Sequence, residues 1–367
     1  MAEHRLTDLK RIVFKVGSST LLDDDGQIDG TVLHHLAALW STLHREGKEL
    51  IIVSSGAVQL GRPHLSGEHK GEAIISKQAA AAVGQSKLMA LYDSFFGVCG
   101  IDVAQVLLTR GDFADRHRYI NARNTLNTLL AEGIIPIINE NDTVAWEELK
   151  FGENDSLAAL VAGLADADIV CLLSDIYGLY TGDPRKDPKA EHIPVVDEIT
   201  AEIAAIAGGV GSRMGSGGMK SKVDAAKIAA QSGIPLTITM GRDVDNIRAM
   251  LRGKGTFTLF RPGEKSLRQR DRWIAYASEP AGSLTVDDGA ANALRRHKSL
   301  LPVGIVAVDG DFSEGSVVTV KDSGGIIGRG IVGYGAAQIR ALRGKRSDET
   351  DAAEVIHCDN LVLEDMI

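Results

Sequence analysis

Along the first two thirds of the chain the apolar residues fall into short runs of one kind. Arg11–Val16, Glu49–Ser54, Asp102–Leu108, Ile134–Ile138, Asp168–Ser174 and Pro235–Met240 are each five to seven residues long, rich in Val and Ile, and apolar at successive positions. A strand covered on both faces needs apolar side chains on both, so runs without alternation predict buried strands of a parallel sheet. Between them the period changes. Leu157, Leu160, Val161 and Leu164 are spaced i, i+3, i+4, i+7, one apolar face of a helix. The alanine-rich stretch Ser76–Gly97 predicts another. Strand and helix patterns in alternation predict an α/β fold, a three-layer αβα sandwich around a mostly parallel central sheet.

The pattern breaks near Arg261-Pro262-Gly263. The segment Glu264–Trp273 is densely charged, with Lys265, Arg268, Arg270 and Arg272, and predicts a linker or an exposed bridging helix. After it come short β-like runs parted by glycine, at Ser283–Val286, Gly304–Val308, Ser316–Lys321 and Gly330–Tyr334, with a helix at Ala290–Arg296. Such spacing predicts a small β-barrel of about 80 residues. The expected division is a first domain over residues 1–262, a linker over 263–278, a second domain over 279–358 and a tail over 359–367.

Charge and cysteine usage narrow the class. The 367 residues carry 40 Lys and Arg against 49 Asp and Glu, a net charge of −9. That balance disfavours general attraction to nucleic acid or acidic membranes. Over residues 279–358 there are 9 basic and 11 acidic residues, a net −2, so the small domain lacks a basic footprint; its local patches are Arg295, Arg296 and Lys298, and Arg340, Arg343, Lys345 and Arg346. Cys99, Cys171 and Cys358 are far apart and form no C-x-x-C, which predicts a reduced compartment. No run reaches the roughly 18 apolar residues that span a bilayer, and the charged start from Met1 to Arg11 carries no secretory pattern. The expected location is the cytoplasm.

Five segments carry candidate chemistry. In Gly215-Ser216-Gly217-Gly218-Met219-Lys220-Ser221-Lys222 a glycine-rich loop runs into a helix and places lysines in its first turn, a setting in which backbone N–H groups and a mobile cation favour phosphate. The alternative is a solvated connection. Lys15-Val16-Gly17-Ser18-Ser19 puts a lysine at the carboxyl end of the first strand, where α/β sheets bind ligands; a lysine that snorkels to water fits the residues equally well. Ser54-Ser55-Gly56-Ala57-Val58 repeats the strand-to-helix turn and can hold a carboxylate or phosphate, or simply cap a helix. Asn139-Glu140-Asn141-Asp142 and Gly152-Glu153-Asn154-Asp155-Ser156 could position an amino acid, although Asn and Asp are also the residues of turns and caps. Ser174-Asp175 ends a strand ahead of Gly178–Arg185, where Asp175 could meet magnesium indirectly or orient a lysine. The chain has no Walker A loop, no G-x-G-x-x-G after the first strand, no H-E-x-x-H and no G-x-S-x-G. A P-loop NTPase, a Rossmann dehydrogenase, a histidine metal site and an α/β-hydrolase are thereby disfavoured.

Taken together, Lys15–Ser19, Val53–Ala57, Ile138–Asp142, Asn154-Asp155, Gly178–Thr181 and Gly217–Lys222 resemble the amino acid kinase family over essentially the whole first domain. The stretch from residue 279 to 358 is similar to a PUA domain. The closest resemblance is to members that phosphorylate the γ-carboxylate of L-glutamate with ATP and Mg2+, the first step of proline synthesis. The resemblance implies that Lys15 and Lys222 stabilise the transferring phosphoryl group. It implies that Ser55, Gly56, Asp142 and Asn154 bind the acceptor. Ser174, Asp175, Ser216, Gly217, Gly218, Met219, Lys220, Ser221 and Lys222 would contact the nucleotide. Asp155 joins the catalytic set and would sit in the acceptor pocket nearby, and no protein metal ligand is implied. Ser174 and Ser221 stand where threonine is more frequent in the family, and both keep a hydroxyl. Feedback inhibition by L-proline, with a contribution from Asp112–Arg123, and a homo-oligomer are further implications. Two alternatives stay open: a sister kinase acting on acetylglutamate, aspartate, carbamate or UMP, and an RNA-binding protein acting through the PUA domain.

Overall fold

The computed structural model describes residues 9–23, 25–65, 73–145, 154–207, 218–262, 280–345 and 354–364. It divides into two compact units, Met1–Asp112 with Arg116–Ser266, and Phe113–Asp115 with Leu267–Ile367. Among the described residues no helix is long and apolar enough to cross a membrane. The linker expected over 263–278 lies outside the described residues.

The first unit contains β1 (Arg11–Val16), α1 (Ser18–Leu21), α2 (Gly30–Arg45), β2 (Glu49–Ser54), α3 (Ala57–Gly61), α4 (Ala73–Gly97), β3 (Val103–Leu108), α5 (Arg110–Ala114), α6 (Arg116–Ala131), β4 (Ile135–Glu140), α7 (Asn154–Leu164), β5 (Ile169–Ser174), β6 (Leu179–Tyr180), β7 (His192–Ile193), β8 (Val195–Val196), α8 (Ala201–Ala207), α9 (Met219–Gln231), β9 (Leu236–Met240), α10 (Val244–Met250) and β10 (Thr258–Phe260). Eight strands form one sheet in the order β3-β4-β2-β1-β5-β9-β10-β8. The six expected strands are all present and pair in parallel. The short β10 was not anticipated; it runs antiparallel to β9 and pairs in turn with β8.

Parity along β1 sorts the two faces. Ile12, Phe14 and Val16 join a core with Leu36, Trp40 and Leu43 of α2, Leu88, Tyr92 and Phe96 of α4, and Ile247 and Met250 of α10. The intervening Val13 and Lys15 therefore face the other side, since side chains alternate along a strand. That side is covered by α7, which packs on β1, β2, β4 and β5, with α6 on β4 and α9 on β9. Lys15 thus stands on the α7 side for the same reason that Phe14 packs against Trp40, with ring centroids 5.7 Å apart.

Helix α3 is short and close to α4, and glycines set the approach. A Cβ on Gly84 would lie 1.7 Å from the Ala57 carbonyl oxygen, and one on Gly61 would lie 1.8 Å from that of Ala80. Neither backbone can give way without parting the helices.

The second unit holds β11 (Ser283–Val286), α11 (Asp288–Arg295), β12 (Ile305–Asp309), β13 (Val317–Asp322), β14 (Gly325–Ile331), α12 (Ala336–Leu342) and β15 (Leu361–Leu363). Its five strands are ordered β12-β11-β13-β14-β15 around a core that includes Leu284, Val318, Val320 and Ile339. Two expectations shift here. The strand expected at Gly330–Tyr334 begins earlier, at Gly325, because pairing on both edges, with β13 and β15, supplies what its glycine-rich sequence lacks. Residues 361–363, expected in a tail, are that edge strand, and Leu361 and Leu363 enter the core.

Replacing Gly84 by Ala should destabilise the protein by at least about 1–3 kcal/mol, the usual cost of overpacking. Urea unfolding measures it, and an unchanged midpoint would refute the tight α3–α4 approach.

Candidate active site

Four strands deliver their last residues to one edge of the sheet. Lys15 lies near the end of β1, Ser54 ends β2, Asn139 and Glu140 end β4, and Ser174 ends β5. Strand β1 sits between β2 and β5, so the chain winds to one side of β1 through β4 and to the other from β5 onward. Open α/β sheets bind ligands at the carboxyl ends of the strands at such a reversal.

The first turn of α7 meets this edge with two consecutive side chains. At 3.6 residues per turn they point about 100° apart, so each serves a different group. Asp155 is fully buried, and its carboxylate lies 2.7 Å from Lys15 Nζ and 3.2 Å from Lys222 Nζ. Ser221 Oγ donates to the same carboxylate at 2.7 Å and is 2.8 Å from the Gly218 carbonyl. Both lysines are themselves buried. Burial on its own would raise the Asp155 pKa; the two ammonium groups and the serine hydroxyl outweigh it and hold the acid at about 2. The two ammonium groups thus share one carboxylate near the carboxyl edge of the sheet.

Asn154 turns toward β2 and β4. Its Nδ2 lies within hydrogen-bond distance of the Ser54 carbonyl (3.1 Å), Ser55 Oγ (2.9 Å) and Asn139 Oδ1 (2.9 Å). Asn139 Nδ2 donates to Gln85 Oε1 at 2.9 Å, and Ser54 Oγ bonds the buried Tyr92 hydroxyl at 2.9 Å. Burial pushes the Tyr92 phenol up, so it stays neutral. Gly56, between Ser55 and α3, has φ of +105°, a conformation that glycine adopts at little cost. Beside this network a cleft of about 240 Å3 lies between α4 and the ends of β3 and β4, lined by Gln85, Gln105, Glu140, Asn141 and Asp142 among others.

The residues singled out from the sequence are distributed as follows. Lys15, Asp155, Ser221 and Lys222 form one cluster, and Ser55, Asn154 and Asn139 a second, joined through the Asn154–Asp155 peptide. Asp142 lines the cleft. Asp155 is buried and enclosed between its lysines. Ser174 is buried and donates to the exposed Asp175 at 3.1 Å, and Asp175 pairs with Arg185 at 3.0 Å. Lys220 is exposed on α9, beside the half-buried Met219 and Gly218. Ser216 and Gly217 lie outside the described residues. Gln85 and Tyr92 were missed: they fall in the alanine-rich helix, and a single inward polar residue there leaves no pattern to detect.

Residues 10–240 match the amino acid kinase family and residues 282–353 the PUA domain. A glutamate 5-kinase of Geobacter sulfurreducens is 47% identical over 367 residues, spanning 98% of each chain. That of Moorella thermoacetica is 45% identical, over 98% of this chain and 97% of its own. Among solved structures, the UMP kinase of Bacillus anthracis aligns with a TM-score of 0.51 at 16% identity, over 71% of this chain and 98% of its own, a likeness of fold alone. On its sheet order, its lysine–aspartate–lysine cluster and this near full-length similarity, the chain belongs to the amino acid kinase family, on its glutamate 5-kinase branch, with a PUA domain at its carboxyl end.

Proposed function

We propose that this chain transfers the γ-phosphoryl group of ATP to the γ-carboxylate of L-glutamate, giving γ-glutamyl phosphate and ADP, the entry to proline synthesis. The observation that carries this reading is the Lys15–Asp155–Lys222 cluster at the carboxyl edge of the sheet. An oxygen of the acceptor carboxylate attacks the γ-phosphorus; the bond to the β,γ-bridging oxygen breaks and its electron pair leaves with ADP. Both reactants are anionic, so neutralising charge is the main demand, and positioned cations meet it without a covalent intermediate. A carboxylate is already ionised at neutral pH and needs no general base.

In this reading Lys15 and Lys222 hold the transferring phosphoryl group. Asp155 is a positioning residue that fixes both ammonium groups before substrate arrives, so they need no reorganisation during transfer. Ser55, Gly56, Asn154 and Asp142 hold the amino acid, and Ser174, Asp175 and residues 216–222 the nucleotide. Mg2+ bound with ATP would neutralise phosphate charge, and Asp175, at the end of β5 with its side chain about half exposed, would meet it indirectly. The kinase domain is assigned to residues 1–262 and the PUA domain to residues 279–363, with a structural or regulatory role. Cytoplasmic location, a homo-oligomer and inhibition by L-proline complete the proposal.

The test is ADP release from ATP and Mg2+ with L-glutamate, acetylglutamate, aspartate or UMP, with hydroxylamine to trap acyl phosphate. Glutamate-dependent turnover with a trapped γ-hydroxamate, suppressed by added L-proline, is expected; turnover with another acceptor only would replace the substrate. Lys222→Ala should lower kcat by about 10²–10³ in a folded protein, the typical loss on removing one electrostatic donor. The Asp155 carboxylate makes a third prediction. Its folded pKa lies below the ordinary value of 3.8, so its stabilisation is complete above pH 4–5 and is lost as pH falls toward about 2. The stability gap between the wild type and Asp155→Asn should narrow by about 1 kcal/mol between about pH 4.5 and about pH 3 in urea titrations. A constant gap would mean that the carboxylate is not held down by the lysines.

A further inference from the structure

The hydrogen-bond chain that leads away from Asn154 ends unfinished, and its direction is set by the backbone. The Ser54 carbonyl can only accept, so the Asn154 atom 3.1 Å from it is the amide nitrogen. That nitrogen donates to Asn139 Oδ1. The Glu140 N–H can only donate, and it also meets Asn139 Oδ1, at 2.9 Å, so the Asn139 amide is oriented twice over. Asn139 Nδ2 therefore faces Gln85, which must answer with Oε1 at 2.9 Å. The oxygen and nitrogen of a side-chain amide are otherwise interchangeable by shape. Here two backbone groups remove the ambiguity, and the group left over is Gln85 Nε2, which is buried and has no partner among the described residues.

A buried NH2 group without an acceptor costs free energy, and such a group calls for a physical cause. Gln85 is only 8% exposed, yet it borders the cleft that Asp142 and Asn141 also line. We propose that Gln85 is a specificity residue whose Nε2 donates to the α-carboxylate of the amino acid acceptor. This inference rests on the kinase function proposed above. The reacting carboxylate belongs beside Lys15 and Lys222, on the Asp155 side of α7. Gln85 stands two side chains beyond Asn154 in the other direction, where the non-reacting end of the substrate must lie. A carboxylate offers only lone pairs there and completes the chain; an ammonium or an amide N–H would meet another donor. A substrate without that carboxylate leaves the donor unpaired, the situation in which binding sites discriminate most strongly.

The experiment compares L-glutamate with 4-aminobutyrate, which lacks the α-carboxylate, in the wild type, Gln85→Met and Gln85→Glu. Gln85→Met should raise KM for L-glutamate about 10- to 100-fold with kcat within about 3-fold, the size expected for a lost hydrogen bond to a charged group. The KM for ATP and the inhibition constant of 4-aminobutyrate against L-glutamate should stay unchanged. Gln85→Glu keeps the oxygen that Asn139 needs and loses the donor. It should show the same defect near about pH 8 and recover relative to the wild type toward about pH 5, as the new carboxyl group takes up a proton and can donate again. Losses shared equally by L-glutamate and 4-aminobutyrate would overturn the assignment, as would a Gln85→Glu enzyme that matches the wild type near about pH 8. A wild-type protein without glutamate-dependent turnover would overturn the proposed reaction itself, and the assignment with it.

Discussion

The buried ion cluster of Asp155 with Lys15 and Lys222 is the constraint on which the rest of the site depends. Each lysine alone would be expensive at its depth, since desolvating an ammonium group costs several kcal/mol. One shared carboxylate, with a serine hydroxyl on the same oxygen as Lys222, lowers that cost and ties three distant parts of the chain together. Strand β1, helix α7 and helix α9 must all be docked before the charges can meet. The cluster is therefore a product of the whole sheet and exists only in the folded state.

Helix α7 is the element that divides the labour. Its first two residues, 100° apart on the helix, send one side chain to the lysines and the next to the amide network of β2 and β4. The phosphoryl and acceptor ends of the proposed reaction are thereby separated by a single peptide, so their spacing does not rely on a mobile connection. The fixed polarity of the Asn154–Asn139–Gln85 chain extends this order to the cleft. Backbone groups decide which end of each amide donates, and the last donor, Gln85 Nε2, is buried and has no partner among the described residues. The approach of α3 to α4 through Gly61 and Gly84 belongs to the same arrangement, because α3 starts at the Ser55–Gly56 turn and α4 carries Gln85 and Tyr92.

Much of this was legible in the sequence, for simple reasons. Strands covered on both faces cannot alternate, so unbroken Val- and Ile-rich runs marked all six parallel strands, and a lysine or polar pair at the end of such a run marked the strand ends that carry the candidate chemistry. The small strands β8 and β10 were not legible, because two or three residues carry no period. Strand β14 was misplaced, because its glycines hide a pairing that both neighbours support.

What the sequence by itself determined is the fold class, the strand ends that carry the candidate chemistry, and the residue types that meet there. Those follow from local rules: side-chain period, turn chemistry and the end of each strand. Only the tertiary structure decided that Asp155 is enclosed between two lysines and not open to the pocket, that Asn154 faces the other way, and that Gln85 ends the chain of amides at the cleft. Those facts depend on contacts between residues 15, 54, 85, 139, 155 and 222. Which charge neutralises which, and which amide is left over, is settled only when the sheet brings them within 3 Å or so of one another.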